Sequence, residues 1–107
     1  MTAFVLPVEF HRDETGYRRW TRRHADGFVL NLDTADVGAW RDDWPWAPRL
    51  HRATCRYVTG TPSNGRAWTE VYAKVCCESL DVLLAAAQAN GVTNVRACKA
   101  CRPEKLD

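Results

Sequence analysis

Two cysteines near the end of the chain, Cys98 and Cys101, are separated by two residues and followed by Pro103. A Cys-x-x-Cys pair in a short chain is typical of one half of a structural zinc site, because two thiolates at this spacing can bind one ion together. Redox-active pairs with the same spacing normally begin a helix, whose N-terminus lowers the thiol pKa. This pair precedes a proline instead. The pattern therefore predicts a metal site whose other ligands lie upstream.

Upstream of this pair, one histidine and three cysteines could complete the site: His51, Cys55, Cys76 and Cys77. We expect Cys76 at the point where a strand passes into a helix, which is a frequent position for a zinc ligand. Neighbouring residues of a strand face opposite sides of a sheet, so Cys77 would pack as a small buried hydrophobe. The fourth ligand is then either His51 or Cys55.

The register of a predicted hairpin discriminates between these two residues. If the hairpin turn is centred between residues 63 and 64, His51 lies opposite Cys76, and their side chains are about 5 Å apart on one face. Cys55 would lie about 14 Å further along the same strand. All ligands of a zinc ion must lie about 2.0–2.3 Å from it. Cys55 satisfies this condition only if the strand bends or if the pairing begins after it.

We therefore predict a single Zn²⁺ ion as the cofactor, with four protein ligands: His51, Cys76, Cys98 and Cys101. Cys55 remains the alternative to His51. If no metal binds, His51 would be a hydrogen-bonded core histidine and the cysteines would be packed as reduced thiols.

Two helices and four strands are expected to position these residues, in the order α-β-β-β-α-β. Asp13 is suited to cap the first helix, and Ser79 the second, which ends at Gly91. The apolar and β-branched runs predict strands at residues 27–32, 50–59, 68–75 and 92–97. The second and third of these strands would form the hairpin.

These elements predict one α+β domain, a small antiparallel sheet with two helices, stapled by one zinc site. A chain of 107 residues is long enough for one modest core, and it benefits from such a staple. We place the domain at residues 13–103. Residues 1–12 form an arm or an edge strand, because Pro7 excludes a central strand. Residues 104–107 form a tail.

Composition limits the cellular setting. The sequence contains no run of 18 apolar residues, so no membrane span is expected. The first residues lack the basic region and long apolar core of a signal peptide. We therefore expect a cytoplasmic protein, in which cysteines are more often metal ligands than disulfides. The odd number of cysteines, 5, agrees with that expectation.

The basic residues are unevenly chosen, with 12 Arg against 3 Lys at a net charge of +2. A GC-rich genome would produce this bias, and so would selection for guanidinium groups that contact phosphates and base edges. Three tryptophans also fall within residues 40–46. They either pack over the core or form an aromatic binding surface. The candidate nucleic-acid contacts are Arg18, Arg22, Arg23, Trp44, Trp46 and Arg66.

Several short motifs together resemble a family of small actinobacterial zinc-site domains that occur alone or beside modification-dependent restriction nucleases. The motifs are Tyr17-x-x-Trp20, residues 27–31 (GFVLN), residues 50–55 (LHRA-x-C), residues 74–76 (KVC) and the terminal Cys-x-x-Cys. The resemblance spans residues 13 to 103. It implies a module that reads DNA, with 5-methylcytosine as the candidate modification. The sequence contains no His-Asn-His nuclease arrangement, so we expect no cleavage activity from this chain.

The sequence therefore favours a zinc-stabilised DNA-binding module, with DNA, including methylated DNA, as its partner. The alternative is a zinc-stabilised protein-interaction module that uses the loop from Trp40 to Trp46. An enzyme ranks last, because no set of nucleophile, base and orienting group can be assembled from these residues. The sequence makes no prediction about the oligomeric state.

Overall fold

The computed structural model describes residues 6–32, 48–59, 69, 73–92 and 95–103. Within these residues, five strands form one sheet in the order β1-β4-β2-β3-β5. The strands are β1 (Val8–Phe10), β2 (Phe28–Asn31), β3 (Arg49–Arg52), β4 (Lys74–Cys77) and β5 (Arg96–Ala97). The helices are α1 (Glu14–Arg23), α2 (Arg56–Thr59) and α3 (Leu80–Ala89). The α+β class predicted from the sequence is confirmed.

The sheet is mixed rather than wholly antiparallel. Strand β4 pairs antiparallel with β1 and with β2, and β2 also pairs antiparallel with β3. Strand β5 pairs with β3 in parallel, which the sequence analysis did not anticipate. Strand β1 lies at one edge of the sheet, as the proline at position 7 suggested.

The predicted hairpin between residues 50–59 and 68–75 is wrong. Strand β2 lies between β3 and β4, so that Val29 pairs with His51 on one side and with Cys76 on the other. His51 and Cys76 do share a face of the sheet, but two strand spacings separate their backbones, about 10 Å. The physical reason is that the choice of neighbouring strands depends on packing between distant segments, which the order of the strands along the chain does not determine.

Alternating residues of the sheet form two cores, one on each face. On the first face, Leu30, Leu50 and Val75 pack with Leu83 of α3. The second face carries Tyr17 of α1 and Val58 of α2, together with buried sheet residues that include Cys76 and with the buried thiols of Cys55 and Cys98. The short helix α2 was missed by the sequence analysis, which extended the second strand through it. The second face carries His51 and four of the five cysteines, whereas Cys77 is buried in the first core, as the alternation along the strand predicted.

Local capping fixes the two longer helices at the expected places. The carboxylate of Asp13 accepts a hydrogen bond from the backbone N–H of Gly16 at 3.0 Å. The hydroxyl of Ser79 accepts from the backbone N–H of Val82 at 3.3 Å. Gly91 follows α3 with a φ of +83°, a conformation that glycine adopts without a steric cost. None of the helices in the described part of the chain is long and apolar enough to cross a bilayer.

Candidate metal centre

Four side chains converge at one end of the sheet and could hold a metal ion. The potential ligand atoms of His51, Cys55, Cys98 and Cys101 all lie within 4.8 Å of one another. The first three residues are buried, and Cys101 is half-buried. One imidazole and three thiols form a donor set of the Cys₃His type, which is common in structural zinc sites.

The parallel pairing of β3 with β5 brings His51 next to Cys98. Leu50 pairs with Ala97, and Cys98 continues this register by donating its backbone N–H to the carbonyl of Leu50 at 2.8 Å. Since His51 follows Leu50 and Cys98 follows Ala97, both side chains point to the second face of the sheet. Two potential ligands thus come from the neighbouring strands β3 and β5, His51 within the first and Cys98 directly after the second.

Cys55 joins them because β3 ends at Arg52 and the chain turns back. The backbone N–H of Cys55 donates to the carbonyl of Arg52 at 2.9 Å, which closes the turn. The carbonyl of Cys55 then accepts from Val58 and Thr59 at 3.0 and 3.1 Å, the first hydrogen bonds of α2. The thiol of Cys55 consequently lies 4.0 Å from that of Cys98.

Arg52 fixes the turn that carries Cys101. Its backbone N–H donates to the Sγ atom of Cys101 at 3.2 Å. Its guanidinium donates to the carbonyls of Cys101 and Arg102, each at 2.8 Å. The turn itself is closed by the N–H of Arg102, which donates to the carbonyl of Cys98 at 3.0 Å. One residue of β3 therefore holds both the thiol and the backbone of the Cys-x-x-Cys segment.

Backbone N–H groups point at the thiols of the group. Burial acts to raise the pKa of Cys98, but N–H donation from Cys101 and Ala100 opposes it, and the pKa is lowered overall. Burial raises the pKa of Cys55 to about 12, despite a backbone hydrogen bond from Tyr57. N–H groups directed at sulfur stabilise thiolates, the form in which cysteine binds metals. The five cysteines are all free thiols.

His51 is held in the neutral form that a metal ligand requires. Burial lowers its pKa to about 4, and the positive charges of Lys74 and Arg49 act in the same direction. Its Nδ1 atom is buried and has no hydrogen-bond partner. A buried polar atom without a partner is costly, and a bond from that nitrogen to a metal ion would remove the cost. The expectation of a hydrogen-bonded core histidine does not describe this residue.

The predicted ligands are only partly brought together. His51, Cys98 and Cys101 belong to the group, whereas Cys76 does not. Cys76 lies two strands away from His51, beyond Val29, in the second core. Ligands of one tetrahedral zinc ion lie about 3.8 Å apart, whereas two strand spacings, about 10 Å, separate the backbones of Cys76 and His51. Cys55 completes the group together with His51, two residues that the sequence had left as alternatives.

A local pattern could have identified Cys55. His51 and Cys55 are separated by three residues, and zinc sites are frequently built from two closely spaced pairs of ligands. His51-x-x-x-Cys55 and Cys98-x-x-Cys101 are two such pairs. An unbroken strand through Cys55 would have kept that thiol away from the others, but β3 ends at Arg52.

Three of the candidate nucleic-acid contacts, Arg18, Arg22 and Arg23, lie on α1 in the described part of the chain. Arg22 and Arg23 are exposed in the last turn of α1. Arg18 is half-buried, and its guanidinium donates to the carboxylate of Glu14 at 3.0 Å and to the carbonyl of Thr59 at 3.2 Å. Trp44, Trp46 and Arg66 lie outside the described residues.

Comparison with protein-family models, with curated proteins and with solved structures found no match for this chain.

Proposed function

We propose that this protein is a zinc-stabilised DNA-binding module. The observation that supports the zinc part of this proposal is the convergence of His51, Cys55, Cys98 and Cys101 at the end of the sheet. A bound zinc ion would supply four bonds that cross-link β3, the turn before α2 and the segment after β5.

The donor set favours zinc over other common ions. Three sulfur donors and one imidazole suit a borderline-soft ion, whereas magnesium and calcium require oxygen ligands. Sulfur ligands of a tetrahedral zinc ion lie about 3.8 Å apart, given a Zn–S bond of about 2.3 Å. The thiols of Cys55 and Cys98, at 4.0 Å, already approach this separation. Four protein ligands also fill the coordination shell, which is typical of a structural rather than a catalytic zinc site.

DNA is the proposed partner because exposed arginines lie on the same side of the sheet as the metal group. Helix α1 packs on the second face through Tyr17, and its last turn carries Arg22 and Arg23. Arg18 and Arg22 also line a pocket of about 350 Å³ whose other walls include threonines. Guanidinium and hydroxyl groups are frequent donors to phosphate oxygens. The resemblance to modification-reading domains supports the same partner.

The finer proposal is that the module distinguishes methylated from unmethylated cytosine. Phosphate contacts carry no information about the base, so selectivity requires contact with the base itself. Trp44 and Trp46 are the proposed aromatic contacts, because an aromatic ring can stack on a base and cover a methyl group.

A salt titration with two matched duplexes tests this function. Zinc-loaded protein is titrated with a methylated and an unmethylated duplex of one sequence, from about 50 to 200 mM salt. We expect the logarithm of the binding constant to fall by about 0.9 per neutralised phosphate for each unit of log salt. Arg22→Gln with Arg23→Gln should weaken both duplexes equally. Absence of binding to either duplex at the lowest salt would contradict the proposal and leave the protein-interaction alternative.

A further inference from the structure

A cationic cleft adjoins the metal centre on the open side of β5. The cleft has a volume of about 690 Å³, and Cys98 contributes to its lining. Its apolar wall is formed by Val95 and Ala97. The other lining residues in the described part of the chain each carry a positive charge: Arg49, Arg96, Lys99 and Arg102. None of these four was among the nucleic-acid contacts expected from the sequence.

The register of the sheet places two of the charges side by side. Arg49 and Arg96 are direct partners in the parallel pair of β3 and β5, and both are exposed. Like charges at paired positions of a sheet repel one another and destabilise it. Among the described residues, the ion pairs are those of Arg18 with Glu14 and of His24 with Glu78. No described acidic residue therefore neutralises Arg49 or Arg96.

The other two charges are carried by the segment that holds Cys98 and Cys101. Lys99 lies between these cysteines, and Arg102 follows them. Arg102 has a φ of +48°, an uncommon conformation for a residue with a side chain. Such a conformation persists only where the surroundings fix it, and it is frequent at binding sites. Here, the hydrogen bond from the guanidinium of Arg52 to the Arg102 carbonyl fixes it.

We propose that this cleft binds the phosphate backbone of DNA and forms a second contact surface in addition to the arginines of α1. The proposal rests on the DNA-binding function proposed above and names the residues that would carry its electrostatic part. Four exposed cations along an open cleft suit a polyanion, because a DNA strand presents one negative charge per about 3.4 Å of its axis. Repulsion between Arg49 and Arg96 would be relieved when phosphates bind between them.

Two double variants that remove equal charge test the proposal. Arg49→Gln with Arg96→Gln removes two cations from the cleft. Arg12→Gln with Arg56→Gln removes two exposed cations elsewhere: Arg12 follows β1 at the opposite edge of the sheet, and Arg56 lies on α2. Both double variants are first checked for the zinc content and circular dichroism spectrum of the wild type. If the cleft double variant fails this check, Lys99→Gln is used in its place. Lys99 is exposed in the turn between the two cysteines.

Binding of zinc-loaded protein to one duplex is then measured against salt concentration. We expect the cleft double variant to reduce the magnitude of the salt slope by about 2, one unit for each lost phosphate contact, and Lys99→Gln to reduce it by about 1. The control double variant should keep the wild-type slope. If the wild type binds but the cleft variant has the slope of the control, the cleft proposal is wrong while DNA binding stands. If the wild type does not bind DNA, both proposals are wrong.

Discussion

The Sγ atoms of Cys55 and Cys98 lie 4.0 Å apart, although 43 positions separate them in the chain. They meet because β3 stops at Arg52 and because β5 pairs with β3 in parallel. A metal ion bound here would connect segments that are distant in sequence. Cross-links between distant segments restrict the unfolded chain strongly, so the site should contribute a large part of the stability of the domain.

Removal of zinc should unfold the protein. Structural zinc contributes about 10–16 kcal/mol of apparent binding free energy in small domains. The net free energy of unfolding of a domain is about 5–15 kcal/mol. The binding free energy that is lost with the metal is therefore similar to this net stability or larger. We expect a chelator to abolish the cooperative thermal transition seen by circular dichroism and re-addition of zinc to restore it. Magnesium serves as the control ion and should not restore it. An unchanged transition in metal-free protein would contradict a stapling role.

Arg52 should raise zinc affinity without binding the metal. Its guanidinium holds the carbonyls of Cys101 and Arg102, which keeps the Cys-x-x-Cys turn in place. Loss of groups that orient metal ligands typically lowers affinity 10–100-fold, and we expect about that loss for Arg52→Ala. Arg56→Ala is the matched control, because the guanidinium of Arg56 contacts only the ring and hydroxyl of Tyr57 among the described residues. Competition with a chromophoric chelator measures the zinc affinity of both variants and of the wild type. Equal affinities for the two variants would show that Arg52 does not orient the site.

The sequence predicted the features that depend on neighbouring residues. The caps at Asp13 and Ser79 and the glycine after α3 are local, and the structure has them where they were expected. The insertion of β2 between β3 and β4 depends on packing across the whole sheet, and no local pattern specifies it. The predicted ligand set depended on that pairing. It therefore contained Cys76, whereas the group in the structure contains Cys55. The end of β3 at Arg52 was equally hidden, since the residues that follow favour a strand by propensity alone.

Tyr17 should make stability fall at alkaline pH. Its hydroxyl donates to the carbonyl of Val58, which joins α1 to α2, and burial raises its pKa, assisted by the charges of Cys76 and Glu14. A tyrosine in the unfolded chain titrates near pH 10, whereas the folded one keeps its proton. The contribution of Tyr17 is therefore complete below pH 10. Above pH 10, the contribution of Tyr17 to the free energy of unfolding decreases by about 1.4 kcal/mol per pH unit.

Tyr17→Phe should remove that part of the alkaline dependence. It should also cost about 1–3 kcal/mol near neutral pH, because the carbonyl of Val58 loses its partner in the core. Urea unfolding of zinc-loaded protein at pH 8 and near pH 11 measures both effects. Tyr57→Phe is the control, since Tyr57 is exposed and, among the described residues, its hydroxyl contacts Arg56 of the same helix. If the free energy of unfolding decreases between the two pH values by the same amount in Tyr17→Phe as in the wild type, this role of Tyr17 is contradicted.

Recognition of a methyl group by simple burial should give only modest selectivity. One buried methyl contributes about 0.8 kcal/mol, which corresponds to about a fourfold preference for the methylated duplex. Trp44→Ala or Trp46→Ala should bring this ratio towards one. Arg22→Gln with Arg23→Gln should leave the ratio unchanged while lowering both affinities. A wild-type ratio of one would refute modification reading without affecting DNA binding.

The zinc content of two cysteine variants tests the central claim most directly. Cys55→Ser removes a proposed ligand, whereas Cys76→Ser alters a buried thiol of the same core that lies two strands from His51. Each protein is purified without added chelator, and its bound metal is measured by elemental mass spectrometry. We predict about one equivalent of zinc in the wild type and in Cys76→Ser, and little or none in Cys55→Ser. Zinc retained by Cys55→Ser and lost from Cys76→Ser would contradict the ligand set proposed here.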